Sequence, residues 1–300
     1  MTWPALVLTA GLATRLQPLS SVRAKAALPV AGEALVSRIL RWLRDAGIRR
    51  VVLNLHHRAD SITRIIGDGT RLGLAVRYSW EPEILGSAGG PARAIPLLES
   101  DRFLIVNGDT LIDVDLRALA AQHVNTNAMV TMAVVDGDPR YNGVVADQSG
   151  VVRGFGKEPG AFHFIGVQAV NASVFSGVDP NIKSETVHGI YPPLIAGRSG
   201  SVRIFHNTKE FFDIGSPRDY LRTALTFAER ERRAPDRGRD SVVASDARVT
   251  DTVLWDRVTI GAGAHLSHCV VADDVAVPAG AHFANCSIVM RGREMIVEPF

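Results

Sequence analysis

The stretch Ala5-Leu6-Val7-Leu8-Thr9-Ala10-Gly11-Leu12-Ala13-Thr14-Arg15-Leu16-Gln17-Pro18-Leu19-Ser20 decides the fold. Four consecutive apolar residues read as a strand buried on both faces, and the small residues straight after them read as a loop. Val51–Leu55 and Phe103–Val106 repeat the apolar run, and Leu35, Ile39 and Leu43 recur at helical spacing between the first two. Pro91 stands near the start of a further helix expected to run to Leu98. Strands alternating with helices predict an α/β fold, a mostly parallel sheet with right-handed crossovers. Ligands of such sheets bind outside the carboxyl ends of the strands, so the residues just after each strand carry the chemistry.

From Met129 to Phe175 the pattern changes to short strands between turn clusters, Asp136-Gly137-Asp138-Pro139 and Asp147-Gln148-Ser149-Gly150. This predicts an antiparallel excursion laid over the sheet. A helix is expected from Pro217 to about Arg232. The charged, turn-rich run Arg233-Ala234-Pro235-Asp236-Arg237-Gly238-Arg239-Asp240 then reads as a linker. Beyond it Val243, Val249, Leu254, Ile260, Leu266, Val271, Val277, Phe283 and Val289 recur at steps of five or six, the hexapeptide signature of a left-handed parallel β-helix. Three sides make one coil, so residues 17 apart, such as Cys269 and Cys286, are expected to stack as small packing residues. His265, His268 and His282 lie on the same repeats and read as surface or stacked turn residues. So few coils hold too little core for a free domain and are expected to pack on the first domain or on another subunit. The division is 1–232, a linker 233–241, and 242–300.

The 300 residues are 46% hydrophobic and 21% charged, ordinary for a globular protein. Thirty-three basic and 31 acidic side chains leave a charge of +2, which argues against a strongly basic nucleic-acid binder and an acidic disordered tail. No apolar run approaches the ~20 residues that span a bilayer. Met1-Thr2-Trp3-Pro4 has no basic n-region, so no signal peptide is expected. Two cysteines make no disulfide framework, and a cytoplasmic setting is the expectation.

The loop after the first strand lets backbone N–H groups approach an anion. Arg15 can grip phosphate oxygens in a fork, and Lys25 follows as a point charge on a flexible stem. Neither a GxxxxGK[ST] loop nor a GxGxxG fingerprint is present here. The apolar run Phe103–Val106 ends in Asn107-Gly108-Asp109, and a carboxylate at a strand end can bind a hard cation.

The run Gly11–Val30 resembles the signature of the sugar-1-phosphate nucleotidyltransferases, G-x-G-T-R-L-x-P-L-[ST] followed by P-K-P and P-V. It departs from that signature at Ala13, where the family has glycine, and at Ala24 and Ala26, where the family has prolines flanking the lysine. Further segments follow in family order. Glu81-Pro82-Glu83-Ile84-Leu85-Gly86-Ser87-Ala88-Gly89 is similar to the base-contacting E-P-x-x-L-G-T-A-G. Asn107-Gly108-Asp109 matches the magnesium-binding aspartate, and Asp213-Ile214-Gly215-Ser216-Pro217 resembles D-I-G-T-P, whose Ser216 also suits a helix cap with Pro217 at N1. Tyr141-Asn142-Gly143-Val144-Val145 resembles the family's sugar-backing Y-G-x-V. Lys157-Glu158-Pro159 stands where the family has E-K-P, with the first two residues exchanged. Phe164-Ile165-Gly166-Val167 and Val170-Asn171 match the next sugar-side strand loosely, and Glu185 before Tyr191-Pro192-Pro193 suits a structural role.

The resemblance implies a Rossmann-like nucleotidyltransferase domain and transfer of a nucleotidyl group from an NTP to a sugar 1-phosphate, with pyrophosphate leaving. The nucleophile is already an anion, so positioning and charge neutralisation suffice. It implies catalytic roles for Arg15, Lys25 and Asp109, and Mg2+ on Asp109 and Asp213. Ala10, Gly11, Leu12, Ala13, Glu81, Leu85, Gly86, Ser87, Ala88, Asn107 and Gly108 are implied at the nucleotide, and Gly143, Glu158, Gly166 and Asn171 at the sugar phosphate. The substrates are small molecules, with no nucleic acid or membrane, and a homo-oligomer through the β-helix stays open. Leu85–Gly89 looks most like guanylyltransferases acting on mannose 1-phosphate. Asn54-Leu55-His56-His57 and Phe162–Val167 also resemble N-acetylmuramate-1-phosphate uridylyltransferases, and a heptose-1-phosphate guanylyltransferase stays open. From other classes, a non-catalytic regulatory paralogue predicts loss of a charged residue, which is not seen. A hexapeptide acyltransferase using a tail histidine would need more coils.

Overall fold

The computed structural model describes residues 3–137 and 143–300, which leaves Asp138, Pro139, Tyr141 and Asn142 of the turn and sugar-side segments outside the described residues. Two compact units form. The first comprises Met1–Gly11, Ile39–His57 and Ile66–Phe212, and the second Leu12–Arg38, Arg58–Ile65 and Asp213–Phe300.

The first unit is built on β1 (Ala5–Leu8), β2 (Arg50–Leu55), β3 (Ala75–Trp80), β4 (Arg102–Asn107), β5 (Val130–Val135), β6 (His163–Asn171) and β7 (Val202–His206). They form one sheet in the order β7-β5-β6-β4-β1-β2-β3. The pairings β1–β2, β1–β4, β2–β3 and β5–β7 are parallel, and β6 runs antiparallel to both its neighbours. The three apolar runs read from the sequence are strands here, because Leu6, Val52, Phe103 and Ile105 are buried in one core with Met132, Val170 and Tyr191. The expected excursion is corrected in part. Gly143–Ala146 and Val152–Gly156 form a separate antiparallel pair, whereas β6 enters the main sheet because Ile165, Val167, Ala169 and Val170 are buried on both its faces. The helix around Pro91 begins earlier than expected, at Gly86, and encloses Pro91 and Pro96; burial of Ala88, Gly89, Gly90 and Pro91 outweighs the poor helix propensity of its glycines and prolines.

At the edge of this core opposite the β4 carboxyl end, His123 is only 1% exposed. Its Nδ1 meets Thr131 Oγ1 at 2.9 Å, its Nε2 meets Asn171 Oδ1 at 3.1 Å, and the Trp3 ring packs edge-on at 5.7 Å. Burial disfavours the charged ring and holds the His123 pKa below its ordinary value of 6.5.

In the second unit, the chain from Thr14 to Ala27 coils through three short 3-10 turns, Thr14–Leu16, Leu19–Ser21 and Lys25–Ala27. The helix Pro217–Arg230 starts as the sequence predicts. Asp219 N donates to Ser216 Oγ at 3.2 Å and Ser216 Oγ donates to Asp219 Oδ2 at 2.7 Å, with Pro217 in the first turn. The β-helix follows with three parallel faces. Val243, Ile260 and Val277 stack on one, Val249, Leu266 and Phe283 on the next, and Leu254, Val271 and Ile288 on the third. The last stacked residue is thus Ile288 and not Val289, since each third step is five residues and the coil keeps its length of 17. The expected linker is packed. Leu254 N donates to Asp236 O and Gly238 N to Leu254 O, both at 2.8 Å, so 236–238 already runs alongside the first coil. Cys286–Arg291 turns back into Glu294–Pro299 as an antiparallel hairpin. Cys269 and Cys286 stack with sulfurs 3.6 Å apart, and the His265 and His282 rings lie one above the other with centres 4.6 Å apart, tilted by 44°.

Because His123 is held neutral in the fold while its unfolded form protonates near pH 6.5, its contribution is complete above that pH and is lost as pH falls below it. Urea unfolding at pH 7.5, 6.5 and 5.5 is expected to show wild type losing stability more steeply than His123→Gln over the lower interval. Equal slopes would refute it.

Candidate functional site

In the first unit, polar residues at the ends of β1, β2 and β3 are drawn into one buried network. Thr9 N donates to Asn54 Oδ1 at 2.6 Å, and Thr9 Oγ1 donates to Asn54 O. Asn54 Nδ2 donates to Glu81 Oε1 at 2.7 Å, and Leu85 N donates to Glu81 Oε2 at 2.9 Å. Thr9, Asn54 and Glu81 are all buried. The Glu81 carboxylate therefore faces inward and fixes the turn to Leu85, and only through that turn does it act on the surface beyond. A Cβ at Gly90 would stand 2.7 Å from Glu81 Oε1, so the helix approaches this carboxylate closely only with glycine there.

The first turn of helix Gly86–Leu98 is occupied by the segment before Tyr191. Ser87 N and Ser87 Oγ donate to Glu185 Oε2 at 3.2 and 2.5 Å, and Ala88 N donates to Ser184 O at 2.9 Å. Thr186 N in turn donates to Ser87 Oγ at 2.9 Å. Glu185 is thus the acidic group at this helix start, where its charge suits the dipole. Ser87 is engaged with protein, while Leu85 is buried and Gly86 half-buried beside it.

At the end of β4, Gly108 N closes the strand by donating to Leu8 O at 2.9 Å, and Asp109 emerges half-buried with Thr110 Oγ1 at 3.4 Å. Gly166 faces this turn. It has φ +83° at a register break between β5 and β6, and a Cβ on it would stand 2.8 Å from Asn107 Cβ. Asn107, Gly108, Asp109 and Gly166 are therefore brought together. Gly143 is buried against Ala161, and Glu158 lies on an exposed turn. Asn171 is not brought to this group. It pairs with Arg102 at the start of β4, five residues or about 16 Å from Asn107 along the strand, and its side chain serves His123 and Met129.

Ala10 is buried and Gly11 exposed at the end of β1. In the second unit Leu12 is exposed and Ala13 adopts φ 50° and ψ 47°, the left-handed region that the family's glycine reaches freely. Arg15 is exposed, and Asp213 half-buried. A Cβ at Gly215 would stand 3.4 Å from both Asp213 Oδ2 and Asp219 Oδ2 and 3.6 Å from Arg15 Nη1, so Arg15, Asp213 and Asp219 border one spot. Sequence reading missed Asp219, although its place three residues after a serine cap was a signal. Lys25 is half-buried on its 3-10 turn. With prolines absent, this turn is held by hydrogen bonds. Ala24 N, a donor no proline has, reaches Ser61 Oγ at 3.0 Å, and Ala27 N and Leu28 N reach Ala24 O and Lys25 O at 2.8 and 3.1 Å.

No cluster of three His, Cys, Asp or Glu side chains suited to a metal occurs among the described residues. Asp109 in the first unit and Asp213 in the second are each half-buried carboxylates, the hard oxygen donor type that Mg2+ takes one or two of before completing its shell with phosphate and water.

Residues 4–230 match the nucleotidyl transferase family, and 238–285 match the GlmU-like C-terminal hexapeptide family. The chain belongs to the nucleotidyl transferase family. Among curated relatives, the mannose-1-phosphate guanylyltransferase of Mycobacterium tuberculosis is 30% identical over 224 residues, 73% of this chain and 62% of that protein. The N-acetylmuramate alpha-1-phosphate uridylyltransferase of Neisseria meningitidis serogroup B is 41% identical over 115 residues, 38% of this chain and 50% of that one. The chain thus spans less than two thirds of the length of these relatives. HddC from Yersinia pseudotuberculosis has the same fold, with a TM-score of 0.65 at 23% identity over 75% of this chain and 99% of that one.

Two outcomes follow. Glu81→Ala strands Asn54 and the Leu85 N–H in a buried place and is expected to cost about 2–4 kcal/mol of unfolding free energy in urea titration. Ala13→Gly is expected to leave that free energy unchanged or raise it by up to about 1 kcal/mol, and Ala13→Val to lower it by about 1–2 kcal/mol.

Proposed function

We propose that this chain transfers a nucleotidyl group from an NTP to a sugar 1-phosphate, as a mannose-1-phosphate guanylyltransferase does. The observation that carries the reading is that Arg15, Lys25, Asp109 and Asp213 all stand, in family order, in a chain matched over 4–230. A phosphate oxygen of the sugar 1-phosphate attacks the α-phosphorus in line. The bond from that phosphorus to the bridging oxygen breaks, and its electron pair leaves with pyrophosphate. No proton need move from the nucleophile, so the protein contributes position and positive charge.

Arg15, exposed and forked, holds the departing β- and γ-phosphates. Lys25 neutralises the α-phosphate and the attacking phosphate. The backbone of Ala10 to Ala13 cradles the nucleotide, and the 85–88 turn, braced by Glu81, receives the base. Asn107, Gly108, Gly143 and Gly166 provide close backbone approach toward base and sugar, with Glu158 on the exposed turn beyond. Asp109 and Asp213 supply the carboxylates for magnesium, which when bound neutralises charge on the phosphates. The four retained charges argue against a non-catalytic paralogue. Among the described residues no helix is long and apolar enough to cross a membrane. The cytoplasm is the compartment we propose.

A second reading, uridylyl transfer to N-acetylmuramate 1-phosphate, is favoured by the 41% identity of the Neisseria relative over its shorter match. Pyrophosphate release from five NTPs against a panel of sugar 1-phosphates, with magnesium, separates the readings. GTP with mannose 1-phosphate is expected to be the fastest pair; UTP with N-acetylmuramate 1-phosphate in that place would establish the second reading. Asp109→Asn and Lys25→Ala are each expected to lower turnover at least ~10²-fold, and near-wild-type release from either would sink its assignment.

A further inference from the structure

Arg23 lies between the 3-10 turns Leu19–Ser21 and Lys25–Ala27, two residues before Lys25. Its guanidinium is committed to the β-helix. Nε donates to Asp273 Oδ2 at 2.8 Å, and Nη2 donates to Asp273 Oδ1 at 2.6 Å and to Asp256 Oδ2 at 2.8 Å. Asp256 and Asp273 are 17 residues apart, the same site on two successive coils, and Asp256 N donates to Asp273 Oδ1 at 3.0 Å. The arginine side chain is 15% exposed and the two carboxylates 16% and 12%, so water screens this cluster far less than a surface pair. Burial pushes the Arg23 pKa down, but the bonds and charges of Asp273 and Asp256 outweigh it, and the net direction is up. The guanidinium also lies 5.2 Å from the centre of the Trp255 ring, which is fully buried.

The same wall grips the loop beyond the lysine. Trp255 Nε1 donates to Tyr220 Oη at 3.0 Å, and Tyr220 Oη donates to Pro29 O at 2.7 Å. Lys25 therefore rides on a short turn anchored through Arg23 on one side and Pro29 on the other. The prolines that stiffen this turn in the family are replaced by alanines, so its geometry depends on those anchors together with the Ala24 N–Ser61 Oγ bond and the turn's own backbone bonds.

We propose that Arg23, clamped by Asp256 and Asp273 on successive coils, is a positioning residue for Lys25, and that the β-helix thereby takes part in phosphate handling. This rests on the nucleotidyl-transfer reading for its consequence, though not for the clamp itself. Lys25 would meet charge that develops in the transition state, so a loosened turn should act on kcat more than on KM. A misplacement of about 1 Å is enough to cost an order of magnitude or more.

The test uses the full chain with Arg23→Ala, Arg23→Lys, the pair Asp256→Asn with Asp273→Asn, and Arg257→Ala. Arg257 forms an exposed pair with Asp274 on the same coils and controls for weakening of the β-helix itself. In hydrogen exchange, the Ala27 and Leu28 amides are expected to exchange at least about tenfold faster in Arg23→Ala and in the aspartate pair, with β4 amides and Arg257→Ala unchanged. In pyrophosphate release, kcat is expected to fall at least about tenfold with KM for the NTP within about threefold, and Arg23→Lys to recover part of it. Unchanged exchange at Ala27 and Leu28, the same acceleration in Arg257→Ala, or an undiminished kcat overturns the proposal. A wild-type chain that releases no pyrophosphate overturns the nucleotidyl-transfer reading, and the exchange measurement then decides the clamp alone.

Discussion

A carboxylate taken out of water must be satisfied, and the first unit is arranged around one that is. Glu81 is 4% exposed, and its oxygens accept from Asn54 and from the backbone at Leu85. Asn54 also receives Thr9, so the ends of three neighbouring parallel strands are tied by one polar chain. Burying a charge without such partners costs several kcal/mol, and the network therefore allows a single register of the strand ends. The turn that follows Glu81, and with it the helix from Gly86, inherits its position from that register.

The second unit meets a different constraint. A β-helix with few coils has little interior, and its stability depends on repeating the same contacts at the same step. Leu254, Val271 and Ile288 stack inside, and Asp256 and Asp273 repeat outside. Because the unit includes residues 12–38, the loop bearing Arg15 and Lys25 is packed as part of this body. A repeat that in isolation would be a scaffold is thus joined to the charged residues of the family pattern.

Much of this was legible in the chain. Apolar runs of strand length, with small or acidic residues straight after them, mark where a parallel sheet places its chemistry, and Ala5–Leu8 and Phe103–Val106 do so plainly. The hexapeptide step was legible down to its length of 17, apart from the last position, where the choice between Ile288 and Val289 turns on a one-residue shortening. Other features carried no local signal. Asn171 reads as a continuation of the Gly166 strand, yet an antiparallel strand carries it to the far end of β4, because five residues of extended chain cover the length of that strand. Glu81 reads as a ligand group until its inward turn is seen.

The sequence by itself determined the apolar strand runs, the hexapeptide step, the family pattern and the set of charged residues, since these follow from periodicity and from residue type at short range. Tertiary structure decided which of those residues face each other. Arg23 meets partners 233 and 250 positions away, and Ser87 meets Glu185 98 positions away. Such pairings arise from how strands and coils stack, a long-range consequence of burial that no local spacing encodes.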